Sequence, residues 1–274
     1  MNSLFQEFQN LLRTNNISPK KYLGQNFLID KNILENITSC SNISKTDTVI
    51  EIGPGMGALT DMLINTVKKV ISIEIDKDMF HILTNKYKDN KNLNLINQDA
   101  LTYIPKVKKY KIIANIPYYI TSPLINHYLN LENKASSITL LIQKEVAEKI
   151  CEEKNSIIKL MVELNGKATY IKTVSENCFY PAPKVKSAII KIEVYLDNQT
   201  STKEKEETLK IAKIAFTGKR KKAINTLSSH YKIEKTEIIK ILEKLNLDKD
   251  TRPERITTEK WLEFNKEFQR LIKR

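Results

Sequence analysis

From residue 47 to residue 143 the chain alternates short apolar runs with longer amphipathic segments, and few architectures accept that rhythm. The stretches "TVIEIG", "KVISIEID", "LNLINQD", "KIIANIP" and "SITLLIQ" read as strands. Between them "ALTDMLINTV", "KDMFHILTNKYK" and "TSPLINHYLN" have the spacing of helices, the last with Ser122 able to cap and Pro123 in the first turn. Strands that regularly alternate with helices pair in parallel and need both faces covered, which predicts an α/β fold. Further on, "KSAIIKIEVYL" places Ala188, Ile190, Ile192 and Val194 on one face of a strand that closes this domain.

The domain so defined is expected to run over residues 1–198. Its first 20 residues form a helix and a basic arm, with Leu4, Phe5, Phe8, Leu11 and Leu12 at helical spacing. Residues 197–207, "DNQTSTKEKEE", read as a linker or exposed turn, and 199–274 as a smaller helical domain. In its last helix Trp261, Phe264, Phe268 and Leu271 recur at helical spacing, a stripe that suits a core better than a stacking surface. No apolar run approaches the roughly 20 residues that a membrane helix needs. The start has neither a basic n-region nor a cleavage site, so the expectation is a cytoplasmic protein without a membrane span. Cys40, Cys151 and Cys178 are odd in number and unpaired in any CxxC, which indicates neither a disulfide framework nor a metal site.

Net charge narrows the partner. The chain carries +13, of which residues 203–274 contribute 20 Lys and Arg against 12 Asp and Glu. A lysine-rich proteome would spread such an excess evenly; its concentration in the last quarter favours a basic surface, for nucleic acid or an anionic membrane.

The strongest local signal is "VIEIGPGMGALT", in which a strand runs through Gly53, Gly55 and Gly57 straight into a helix. Such a turn lets a ligand approach the backbone at the carboxyl edge of the sheet. On its own it serves a non-binding turn equally well. The spacing is GxGxG, not the GxGxxG of dinucleotide sites, and Glu51 just before it would oppose a pyrophosphate. S-adenosylmethionine, cationic and without phosphate, suits that charge. Glu74 ends the next strand, about 20 residues after the first glycine, where a carboxylate accepts from ribose hydroxyls of either kind of cofactor. Asp99 and the Ala100 backbone end the third strand, in place for an adenine, although one such Asp also serves as a helix cap.

The fourth strand delivers "NIPYY" to the same edge. An exocyclic adenine amine is a poor nucleophile because its lone pair is delocalised, so a site must orient it toward a methyl donor. The Asn115 side chain and the Ile116 carbonyl can accept both amine hydrogens, and Tyr118 offers a ring for a base taken out of its helix. Phe179, held by Pro181 and Pro183, is a second ring for that base or an ordinary core residue.

Taken together, "YLGQNFLID", "EIGPGMGALT", "IEID", "NQDAL", "NIPYYITSPL", "QKEVAEKI" and "FYPAPKVKSAIIKI" resemble the ribosomal-RNA adenine N6,N6-dimethyltransferases, over residues 18 to about 225, with "AFTGKRKKAINTL" and "TRPERIT" continuing into the tail. The resemblance implies a class I methyltransferase Rossmann-like sheet with a small helical C-terminal domain, and S-adenosylmethionine as cofactor. It implies dimethylation of two adjacent adenosines in a hairpin loop near the 3′ end of small-subunit (16S) rRNA, by a monomer, within an assembling 30S subunit. Family roles fall on Gln25, Asn26, Phe27 and Leu28 over the cofactor, Gly53 at its methionine end, Glu74 and Ile75 at ribose and adenine, and Asp99 and Ala100 at adenine. Asn115 stands beside the methyl, and Tyr118 and Phe179 handle the target base. Lys20 and Lys21, with Lys219, Arg220, Lys221 and Lys222 in "GKRKK", are candidate RNA contacts, although a solvated face is the usual role of such a run. One segment departs from the family: after "QKEVAEKI" the chain reads "CEEKNSIIKLMVELN" where a Pro- and Gly-containing loop is usual.

Two other readings compete. One is the related family that methylates a large-subunit (23S) rRNA adenine and confers macrolide resistance. The other is a non-catalytic RNA-binding assembly factor on the same scaffold, which has no need of Asn115, Tyr118 and Glu74 as a set.

Overall fold

The computed structural model describes residues 3–151, 155–196, 200–218 and 221–272. It divides into two compact units, Met1–Glu148 with Lys167–Leu196 and Lys149–Gly166 with Asp197–Arg274. No helix among the described residues is long and apolar enough to cross a membrane.

The first unit is built on strands β2 (Thr48–Ile52), β3 (Lys69–Glu74), β4 (Leu93–Asn97), β5 (Lys111–Asn115), β6 (Ser137–Gln143), β7 (Gly166–Val174) and β9 (Ser187–Val194), in the order β4-β3-β2-β5-β6-β9-β7. The first five run parallel, and β9 returns antiparallel along β6 with Leu140 opposite Ile190. The central strands are buried on both faces, as parallel strands covered by helices must be. The covering helices are α2 (Lys31–Cys40), α3 (Ala58–Thr66), α4 (Lys77–Lys86), α5 (Thr121–Asn130) and α6 (Lys144–Cys151). Asp30 starts α2 by accepting from the Ile33 N–H, and Asp76 starts α4 by accepting from that of Asp78. Ahead of these lies α1 (Ser3–Thr14), and β1 (Phe27–Leu28) pairs antiparallel with β8 (Phe179–Tyr180). The α/β class and all six expected strands are present.

Three features differ from the sequence reading. Gly166–Val174 is an additional strand at the sheet edge; its side chains are mostly exposed, so its periodicity carries little apolar signal. The expected linker at 197–207 gives way at Thr202 to α8 (Thr202–Phe216), whose first turn is capped by Ser201. That helix buries Leu209, Ile211 and Ala212 and, within the charged run itself, Lys205. The boundary also departs from the expected 198/199. Residues 149–166, including α7 (Ile157–Glu163), belong to the helical unit because their polar groups are satisfied there: Asn155 Nδ2 donates to the Ile256 carbonyl at 2.8 Å, and Lys205 Nζ to Asn165 Oδ1 at 3.2 Å.

The second unit is completed by α9 (Ala223–Tyr231), α10 (Lys235–Lys244) and α11 (Thr258–Ile272). Trp261, Phe264 and Phe268 of α11 form its core, Phe264 and Phe268 stacking at 5.5 Å, while Leu271 is half-buried.

Candidate active site

The carboxyl ends of β2, β3, β4 and β5 converge on one cavity of about 250 Å³. After β2 the chain passes through Gly53, Gly55 and Gly57, all left-handed, with φ of 69, 57 and 85°. A Cβ on Gly53 would stand 3.3 Å from the Asn115 carbonyl oxygen, and one on Gly55 only 3.0 Å from the Phe27 ring. Both residues therefore present bare backbone to the cavity. The Gly55 N–H donates to Glu74 Oε2 at 3.2 Å, and the Asp76 N–H donates to Oε1 at 2.8 Å. Burial pushes the Glu74 carboxyl up to about 7, against the pull of those two N–H groups.

The segment ahead of β1 closes another side. Lys20 Nζ lies 2.6 Å from Asp76 and 2.6 Å from Asp78, and Gln25 Nε2 donates to the second Asp76 oxygen at 2.7 Å. Asn26 Nδ2 donates to the Gly24 carbonyl at 3.1 Å. Gly24 itself is left-handed, and a Cβ there would meet Pro117 at 3.2 Å, so this loop rests on "NIPYY". Phe27 packs against Phe8 of α1 with ring centroids 4.9 Å apart.

At the end of β5, Asn115 and the buried Ile116 face the cavity. The Tyr118 hydroxyl shares a hydrogen bond of 2.7 Å with Ser187 Oγ, and burial raises its pKa. Phe179, opposite Leu28 across the β1–β8 pair, is buried in the core cluster with Leu34 and Ile189 and also forms part of the cavity wall.

The cavity thus gathers Gln25, Asn26, Phe27, Leu28, Gly53, Gly55, Glu74, Ile75, Asp99, Ala100, Asn115, Ile116, Tyr118 and Phe179. Two expected cofactor residues are not among its lining. Glu51 is turned into the protein, where Thr60 Oγ1 and Ser72 Oγ donate to its Oε2 at 2.8 and 2.5 Å. Strand register decides this, because Glu51 lies beside Ser72 in the β2–β3 pair. Gly57 faces Tyr87, whose Oη would be 2.4 Å from an added Cβ, so its missing side chain makes room for a tyrosine rather than for a ligand.

The basic residues also divide. Lys20 is committed to Asp76 and Asp78, which raise its pKa, and this removes it from the expected RNA contacts. Lys222 pairs with Asp250, while Lys21 and Lys221 are exposed. Lys219 and Arg220 lie outside the described residues. Unexpected members of the site are Leu4, Glu7, Phe8 and Leu11 of α1, which line the cavity. The helical spacing of Leu4, Phe8 and Leu11 announced an apolar face but not what it would cover.

The lining chemistry suits a cationic nucleoside without phosphate. Glu74 and Asp99 are acceptors, and the cavity's one lysine among the described residues, Lys86, is held by Asp61 at 2.6 Å. Asp99 Oδ1 accepts from the Leu101 N–H at 2.9 Å, which fixes the carboxylate at the wall. This set of acceptors fits S-adenosylmethionine.

Comparison with known proteins agrees with this geometry. The family described as "Ribosomal RNA adenine dimethylase" matches residues 16–269. A curated relative from Fusobacterium nucleatum, named "Ribosomal RNA small subunit methyltransferase A", is 38% identical over 260 residues, covering 91% of this chain and 97% of that one. Among solved structures, a dimethyladenosine transferase from Plasmodium falciparum superposes with a TM-score of 0.73 at 29% identity, over 88% of this chain and 96% of that one. The 23S rRNA methyltransferase ErmE shares the fold, with a TM-score of 0.72 at 24% identity over 89% of this chain and 100% of that one. With a family match over nearly its whole length and a cavity whose residues fit that family's chemistry, this chain belongs to the ribosomal RNA adenine dimethylases.

Proposed function

We propose that the protein is an S-adenosylmethionine-dependent enzyme that dimethylates N6 of two adjacent adenosines in a 3′-terminal hairpin loop of small-subunit rRNA. The observation that carries this reading is the convergence of Gly53, Glu74, Asp99 and Asn115 on one cavity, three strand ends suited to a nucleoside cofactor and a fourth suited to an adenine amine. The curated name of the Fusobacterium relative supports the small subunit as target. The enzyme acts as a monomer in the cytoplasm on an assembling 30S subunit, and the exposed Lys21 and Lys221 meet phosphates.

Glu74 and Asp99 hold the nucleoside of the cofactor by accepting from ribose and adenine, and the glycine backbone accommodates its methionine end. When bound, S-adenosylmethionine supplies an electrophilic methyl on a sulfonium. Asn115 Oδ1 and the Ile116 carbonyl accept the two hydrogens of the adenine amine and turn its lone pair outward. Asn115 has no basic form near neutrality, so the proton shed as the N–C bond forms and the S–C bond breaks leaves to solvent. After one transfer a single N–H remains, and one acceptor suffices to orient the second. Tyr118, tied to Ser187, and Phe179, fixed in the core, present rigid rings to the extruded base.

The test is methyl transfer from labelled S-adenosylmethionine to unmethylated small subunits, unmethylated large subunits and naked rRNAs, with wild type and Asn115→Ala compared and nucleosides analysed. The expected result is dimethyladenosine in small-subunit material alone, with turnover reduced by about 10²-fold or more in the variant. Methylation of large-subunit RNA overturns the target assignment. Cofactor binding without transfer to any RNA leaves a binding factor.

A further inference from the structure

Where Leu23, Gly24 and Tyr119 line the cavity, the first unit carries two large, mostly exposed aromatic rings, one on the wall and one in the turn just ahead of it. Tyr22 is 77% exposed and Tyr119 62%. They come from different loops that are held together. Tyr22 lies in the turn Lys21–Leu23, and Gly24 follows in a left-handed conformation that presses this loop onto the other: a Cβ there would lie 3.5 Å from the Tyr119 ring. The turn is anchored from behind, where the Lys20 N–H donates to Gln25 Oε1 at 2.8 Å and the Lys20 side chain is fastened to Asp76. Tyr119 lines the cavity next to Tyr118, whose hydroxyl bond to Ser187 draws in a third segment with Lys184, Val185 and Lys186 exposed. Lys21 beside Tyr22 and Lys184 in that third segment are exposed cations.

We propose that Tyr22 and Tyr119 are a stacking platform for the unpaired bases flanking the target adenosine, with Lys21 and Lys184 meeting the adjoining phosphates. The proposal rests on reading the cavity as the place of adenine methylation. An adenosine that enters the cavity as far as Asn115 leaves its neighbours in the loop without a stacking partner. A tyrosine face at the mouth restores that contact, whatever the base, because every base has a π-face. Aromatic rings interleaved with lysines suit single-stranded RNA, which presents flat bases on a polyanionic backbone.

Steady-state methyl transfer to unmethylated small subunits tests the platform with wild type, Tyr22→Ala, Tyr119→Ala and the corresponding Phe variants. Alongside it, S-adenosylhomocysteine affinity, the melting temperature and the quenching of 2-aminopurine beside an unpaired adenosine in a hairpin-loop RNA are measured. Each Ala variant is expected to raise KM for the subunit about tenfold, or about 1.4 kcal/mol, and to lose quenching. Cofactor affinity and melting temperature stay at the wild-type values, and Phe restores both KM and quenching. Ala variants with wild-type KM and quenching overturn the platform while leaving the enzymatic reading intact. A loss of cofactor affinity or stability that matches the change in KM assigns the tyrosines to loop packing and also overturns it. A wild type that transfers no methyl to any rRNA overturns both readings.

Discussion

The Lys20 ammonium lies 2.6 Å from Asp76 Oδ1, and this pair fastens the loop ahead of the cavity to the end of the strand that carries Glu74. Asp76 holds several groups at once. It takes Gln25 on its second oxygen, caps α4, and donates its N–H to Glu74. Burial works to raise its pKa, but Lys20 and Gln25 outweigh that and hold the carboxyl below the ordinary range. Asp76→Ala is expected to release the "GQNF" loop and weaken S-adenosylhomocysteine binding by about 1.5–3 kcal/mol, the range for hydrogen bonds to a charged group. Titration calorimetry measures this, and unchanged affinity would show that the loop holds its place without the latch.

Cofactor affinity is expected to depend on pH through Glu74. Burial places its carboxyl at about 7, so below that pH the group is protonated and loses acceptor capacity for ribose hydroxyls. S-adenosylhomocysteine is expected to bind more tightly as pH rises from 6 to 8, with up to about tenfold loss for each unit below the pKa. The dependence should flatten in Glu74→Gln; a slope that survives in the variant assigns the titration to another group.

Glu51 contributes a stability term of defined sign. Burial lifts its carboxyl from 4.5 to about 7, against the Ser72 and Thr60 hydroxyls, and its Oε1 is buried without a hydrogen-bond partner. A pKa raised in the folded state stabilises fully below the unfolded value, and that stability is lost as pH rises toward the folded value. The wild type should therefore lose stability between about pH 4.5 and 7 and level off above. Glu74 adds a term of the same sign, so Glu51→Gln is expected to reduce the slope without abolishing it. Urea unfolding at four pH values reads this out, and an unchanged slope means that Glu51 is ionised throughout.

Gly57 and Tyr87 form a steric pair. An alanine at Gly57 combines a left-handed backbone with a Cβ placed 2.4 Å from Tyr87 Oη, and is expected to destabilise by about 2–4 kcal/mol. Tyr87→Phe removes the oxygen that the methyl meets, along with its hydrogen bonds to Gly57 and Asp61. In the Phe background Gly57→Ala should cost less than in the wild type. Melting curves of the four proteins close the cycle, and strict additivity would rule out the contact as the cause.

Much of this molecule was legible in the linear chain because the signals are local. The alternation of apolar runs that builds β2 to β6 depends on backbone periodicity, and the positive φ of Gly53 and Gly55 on the lack of a Cβ. Carboxylates and an asparagine at strand ends can be counted to the same edge once the strands are parallel, and the cavity does gather Glu74, Asp99 and Asn115. The direction of a side chain is not local. Glu51 and Gly57 sit within the same motif yet face inward, because Ser72 and Tyr87, far along the chain, arrive on that side. Lys20 was legible as a charge, and only the arrival of Asp76 beside it made it a latch rather than an RNA contact. The sequence by itself determined which elements form and which chemical groups reach the sheet edge. Tertiary structure decided which of those groups face the ligand, because each side chain settles against the nearest partner that satisfies its charge, hydrogen bonds or volume, and that partner comes from elsewhere in the chain.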